Sequence, residues 1–174
     1  MGNTDLFFWI LNFSHRYTSV DLIMIFGAEI VIYLTLLLII YLAFRDSIKE
    51  KKSFFMFLIA ILITSILVKI IHLFIFEPRP FATFPFQPLV LYNQGPSFPS
   101  VHSAIMATIA FSFFWYRSKW SYFLLFLMLW VGFARIYIGV HYPLDIIAGF
   151  LVGLAAVYLA HKLKKWLKSR LVIN

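Results

Sequence analysis

Long apolar runs separated by short polar breaks organise this chain. Residues 20–44, 53–76, 101–116, 120–137 and 143–161 are each nearly continuous Leu, Ile, Phe, Val and Ala. A helix needs about twenty such residues to cross the roughly 30 Å hydrocarbon core of a bilayer. Lipid offers the backbone no hydrogen-bond partners, so each run is expected to be helical. Residues 4–13 are apolar but too short to span, and they predict a helix lying in the interface with Trp9 at headgroup level. Between 77 and 100 the pattern dissolves into a loop rich in Pro, Phe, Gln and Gly, whose aromatic content predicts that it packs down on the membrane surface. The pattern therefore predicts an all-α polytopic membrane bundle. It has five full transmembrane helices plus a short N-terminal interfacial helix, all in a single domain over 1–174.

Composition supports the same class. Only 13% of the residues are charged, against about a quarter in soluble domains. The absence of cysteine excludes disulfides, thiolate metal sites and cysteine nucleophiles. A formal charge of +8 would suit nucleic acid, but its distribution points to the membrane instead. Of the 15 Lys and Arg residues, 11 lie in 45–52, 117–119 and 162–170. Threading five spans puts those segments on one side, which the positive-inside rule makes cytoplasmic, together with the C-terminus. The polar residues left for the outer face are Lys69, His72, Arg79, Ser100, His102, Arg135, His141 and Asp145. Asp21 and Glu29 fall within the first span, and an acid as deep as Glu29 predicts an interior position with a partner.

The outer cluster has chemistry suited to a phosphorylated lipid. His141 and Asp145 are four apart at the mouth of a helix opened by Pro143, so the carboxylate can hold one ring nitrogen and leave the other as a nucleophile. Arg79, Arg135 and Lys69 would neutralise phosphoryl oxygens as charge builds in the transition state. The Ser100 hydroxyl and the N-terminus of the following helix add donors. His102 would protonate the leaving oxygen as general acid, then act as base when water hydrolyses the phosphohistidine. Carboxylates for a two-metal site are lacking on that face, so neither metal nor other cofactor is expected. Taken singly, each residue has a plainer reading: Arg79 as a loop anchor, His102 as a helix-cap hydrogen bonder, His72 as an interhelical donor. A non-enzymatic lipid transporter is the rival from another class, although polar groups crowded at one interface suit surface chemistry better.

At these residues the sequence resembles the type 2 phosphatidic acid phosphatase superfamily of membrane lipid phosphatases. That signature reads Lys, six residues, Arg-Pro; then Pro-Ser-x-His; then Ser-Arg, five residues, His, three residues, Asp. Here Arg79-Pro80 closes the first part, Pro99-Ser-Val-His102 is the second, and Arg135, His141 and Asp145 keep the spacing of the third. The lysine position holds His72 with Lys69 one turn deeper, and Ala134 replaces the serine before Arg135. The resemblance implies His141 as nucleophile, Asp145 as its orienting acid and His102 as general acid and base. It further implies Arg79, Arg135, Ser100 and either Lys69 or His72 at the phosphate. Within the superfamily the chain looks most like bacterial undecaprenyl-diphosphate phosphatases of the inner membrane, with the site facing the periplasm. Phosphatidylglycerophosphate and the 1-phosphate of lipid A are alternative substrates.

Overall fold

The computed structural model describes residues 2–45 and 47–171, so Asp46 of the first basic segment lies outside the described residues. Among the described residues there are eight helices. They are α1 (Asn3–Leu11), α2 (Thr18–Glu29), α3 (Val31–Arg45), α4 (Ile48–Phe74), α5 (Pro80–Thr83), α6 (Val101–Trp115), α7 (Ser121–Tyr137) and α8 (Pro143–Leu171). The protein is thus an all-helical membrane bundle.

Three elements differ from the sequence expectation. The first apolar run is two helices, α2 and α3, bent by 50° at the break between them. The charged segment 45–52 is mostly helix rather than loop. Ser47 N-caps α4, accepting from Lys49 N at 3.3 Å, and its hydroxyl donates to Glu50 in the Ser-x-x-Glu pattern that starts helices. The outer loop contains a helical turn, α5, with Pro80 preset at its first position.

By length and apolar character α4 and α8 can cross a bilayer, and the bent α2–α3 pair reaches the same length and apolar character only when its two helices are taken together. With 15 and 17 residues, α6 and α7 reach about 23 and 26 Å, short of the roughly 30 Å core. Helix length alone therefore does not carry five full spans. In α6 the shortfall has a physical reason: packed chiefly against α8, α4 and α7, it need not match the bilayer.

That packing is close. A Cβ on Gly153 of α8 would sit 2.7 Å from the Ala104 carbonyl oxygen of α6, and one on Gly149 would sit 2.7 Å from the Ser100 oxygen. Two glycines four apart let the backbones touch, a small-residue contact typical of helices in lipid. Thr64 of α4 and Thr108 of α6 add a buried hydroxyl pair at 2.7 Å.

Contacts also sort the two ends of the bundle. The Ser118 hydroxyl donates to Glu50 at 2.9 Å and Lys164 donates to the Tyr116 hydroxyl at 3.0 Å. The three basic segments therefore share one end. At the other end the outer loop is tied down, with Ser97 N donating to the Glu77 oxygen at 2.7 Å and Leu89 N to the Ile138 oxygen at 3.0 Å. Its Phe84, Phe86 and Leu89 pack onto the protein itself, on the cluster around Phe7, Tyr137 and Ile138.

Candidate active site

The site is built where α8 begins. Pro143 occupies the first helical position, and Asp145, two residues on, accepts from Tyr142 N at 2.8 Å. The carboxylate thus caps its own helix before doing anything else. From the far end of the chain, Asn3 accepts from Leu144 N at 3.0 Å and satisfies another first-turn donor. Gly139, at φ 86, makes the turn from α7 that aims His141 inward.

His141 is 2% exposed, with Nδ1 lying 3.3 Å from Asp145 Oδ2 and 3.2 Å from Ser97 Oγ. The Ser97 hydroxyl donates to the same Asp145 oxygen at 2.5 Å. On the opposite edge of the ring, Nε2 lies 3.4 Å from Arg79 Nη1. An arginine can only donate, so Nε2 is the lone-pair nitrogen and Nδ1 carries the proton. Burial, then the charges of Arg135 and Arg79, hold the pKa of His141 well below the ordinary histidine value. At neutral pH the ring is uncharged, the form a nucleophile requires.

Two guanidiniums from different elements act on this ring, Arg79 within 3.4 Å of Nε2 and Arg135 through its charge. Arg79 N-caps the α5 turn and also donates to the Val140 oxygen at 3.3 Å. Arg135, in the last turn of α7, is fully buried and donates through Nη1 to Glu29 Oε1 at 2.8 Å and to the Tyr92 hydroxyl at 2.6 Å. Arg79 Nε and Arg135 Nε and Nη2 are buried donors that meet no acceptor among the described residues. Such groups are costly to leave unpaired, roughly 1–3 kcal/mol each and more when charged, which marks the place as an anion site. Burial and the neighbouring Arg135 both lower the pKa of Arg79, and a bound anion would relieve both effects.

The remaining expected residues are distributed unevenly. His102 lies in the first turn of α6, within electrostatic reach of Arg135, His141 and Arg79. Ser100 is the N-cap of α6, and its oxygen accepts from the Ser103 hydroxyl at 3.2 Å. His72 Nε2 donates to the Pro99 oxygen at 3.2 Å, bracing the residue before Ser100. Lys69 is exposed and lines, with His72, Leu73, Val101 and Ile105, a groove of about 300 Å³ between α4 and α6. Lys69 therefore flanks the site from the side, and His72 is committed to the loop backbone. Asp21 accepts from the Tyr137 hydroxyl at 2.8 Å and from His15 N at 3.2 Å, tying the α1–α2 turn to α7.

Sequence reasoning missed Ser97 and Tyr92 and expected a partner for Glu29 without naming Arg135 or Tyr92. Ser97 had one available signal, its position just upstream of Pro99-Ser-Val-His102. Its contacts predict a positioning role. Ser97→Ala is expected to lower kcat about tenfold to a hundredfold with KM little changed, and Ser97→Thr to recover part of the loss. Steady-state kinetics on the three proteins check this.

An oriented neutral imidazole beside unpaired guanidinium donors, held in a membrane bundle, defines the class: a membrane-bound phosphatase. The chain belongs to the PAP2 superfamily, whose family model matches residues 53–169. It is 35% identical over 153 residues to the bacitracin transport permease protein BcrC of Bacillus licheniformis, covering 87% of this chain and 75% of that one. It is 31% identical over 161 residues to the undecaprenyl-diphosphatase BcrC of Bacillus subtilis, covering 90% and 81%. The fold matches the crystal structure of Aquifex aeolicus LpxE with a TM-score of 0.77 and 29% identity, over 92% of this chain and 94% of that one.

Proposed function

We propose that this chain removes the terminal phosphate of undecaprenyl diphosphate through a phosphohistidine, at the outer face of a bacterial inner membrane. The observation that carries the reading is the set of unpaired buried donors on Arg79 and Arg135 beside the lone-pair nitrogen of His141. His141 Nε2 attacks the terminal phosphorus as the bond to the bridging oxygen breaks. His102 gives that oxygen its proton, and undecaprenyl phosphate departs. His102 then takes a proton from water, which attacks the phosphohistidine and releases inorganic phosphate. Asp145 and Ser97 keep Nδ1 protonated throughout, while Arg79 and Arg135, with the Ser100 hydroxyl, hold the three peripheral oxygens. Cationic donors that suit an anion disfavour a divalent metal in the same place, which supports a metal-independent reaction.

The substrate assignment draws on the undecaprenyl-diphosphatase relative, which this chain matches over most of its length. For topology we infer five crossings, with α2–α3, α4, α6, α7 and α8 as spans and α1 at the interface. The basic end is then cytoplasmic and the site faces outward. Lipid A 1-phosphate and phosphatidylglycerophosphate present the same phosphoryl chemistry and remain the alternative substrates. A transport role is suggested by the name of the Bacillus licheniformis relative. Below the site, however, the interior is closely packed around the buried side chains of Ile109, Phe113, Leu124 and Val131, which argues against passage of a headgroup.

Purified protein in EDTA, offered the three lipids side by side, tests the reading. Metal-independent phosphate release fastest on undecaprenyl diphosphate is expected. A different ranking would reassign the substrate, and no release from folded protein would favour transport.

A further inference from the structure

Arg135 is gripped by a single nitrogen. Its Nη1 makes the contacts to Glu29 and Tyr92, whereas Nε and Nη2 are buried and meet no partner among the described residues. A guanidinium is flat and rigid, so holding Nη1 fixes where the Nε–Nη2 edge points. That edge carries two parallel N–H bonds at the spacing that grips two oxygens of one phosphate.

The holders are themselves joined. The Tyr92 hydroxyl donates to the same Glu29 oxygen at 2.7 Å, closing a triangle of glutamate, phenol and guanidinium. The Tyr92 ring also lies against both cations, with its centroid 4.5 Å from the Arg135 guanidinium carbon and 5.2 Å from that of Arg79. Two like charges that would otherwise repel each other thus share one electron-rich face, and Glu29 offsets one of them. Glu29 comes from the last residue of α2, where the chain bends, and Tyr92 from the outer loop. These elements meet nowhere near the His141–Asp145 pair in sequence, and nothing in that pair requires them.

We propose that Glu29 and Tyr92 are positioning residues that aim the Nε–Nη2 edge of Arg135 at the transferring phosphoryl group, with Tyr92 holding Arg79 alongside. The proposal rests on the phosphate-site reading of the two arginines. Because these contacts exist before substrate arrives, the transition state meets donors already in place.

Orthovanadate, which mimics a phosphoryl group in flight, is the probe. Its affinity is measured by calorimetry on purified protein, so inactive variants stay measurable, and phosphate release is followed in parallel. Glu29→Gln and Tyr92→Phe are each expected to weaken vanadate binding and to lower kcat about tenfold, with KM moving less, the usual worth of one hydrogen bond to a charged group. Arg135→Lys has no forked edge to aim, so adding Glu29→Gln to it is expected to cost nothing further. Equal vanadate affinity in wild type and both single variants would overturn the proposal, even if thermal stability fell. So would a fully additive second loss in the double variant. Should the wild-type protein itself fail to bind vanadate, the phosphate site falls and takes the proposal with it. Tyr92→Phe, which removes one oxygen atom, keeps the test decisive if Glu29→Gln does not fold.

Discussion

His141→Ala is expected to abolish phosphate release, by about 10⁴-fold or more, in a protein that still folds. The magnitude follows from the proposed role of Nε2 as the atom that bonds phosphorus: without it, the proposed phosphohistidine can neither form nor be hydrolysed. The fold should survive because Asp145 keeps two donors, Ser97 Oγ and Tyr142 N, and is not left as a bare buried charge. Asp145→Asn should cost less, about 10²–10⁴-fold, because the nucleophile remains while its tautomer is no longer enforced. Asparagine would also turn a donor toward one of three groups that now all donate to a single oxygen. Phosphate release, together with phosphoenzyme trapping by acid-free quench, separates the two outcomes. Turnover by His141→Ala near the wild-type rate would require a different nucleophile.

Gly153→Leu is expected to remove activity by a different route, through loss of the folded bundle. Even a Cβ at this position would lie 2.6 Å from the Ala107 side chain, 2.7 Å from the Ala104 oxygen and 2.8 Å from Thr108 N. Two of these neighbours are helix backbone, which cannot swing aside as a side chain can. Overpacking typically costs about 1–3 kcal/mol, and a leucine against fixed backbone belongs at or beyond the upper end. Separating α6 from α8 also parts His102 from Asp145, because those helices carry them. A lowered midpoint of thermal inactivation in detergent, with less monodisperse protein recovered, is the expected signature. Gly95→Ala is the control, since nothing lies within 4 Å of its added methyl.

The sequence was most informative where chemistry and secondary structure coincide locally. Pro143 opening a helix, with Asp145 inside it and His141 just before it, is found as expected, since contacts four residues apart are set by helix geometry. The Ser47-x-x-Glu50 box that starts α4 sits among four basic residues, a charge density that masks the cap signal in the pattern. The bend between α2 and α3 had no proline to announce it. Only the packed bundle reveals it, where Gly27 accommodates the Trp130 ring: a Cβ there would lie 2.7 Å from its indole nitrogen.

The sequence by itself determined the membrane class, the grouping of basic segments at one end, and the cluster of His102, Arg79, Arg135, His141 and Asp145 at the other, for which we propose phosphate handling. Apolar run length, charge bias and helix periodicity are local quantities, so they survive without knowledge of the fold. The tertiary structure decided which atoms of those residues are occupied and which are free. Glu29 reaches Arg135 across 106 positions, Tyr92 across 43, and Ser97 reaches His141 across 44. Those meetings depend on a helix bend and on the path of one loop over the end of α7. Such geometry comes from the balance of packing over the whole bundle, and no short stretch of chain encodes it.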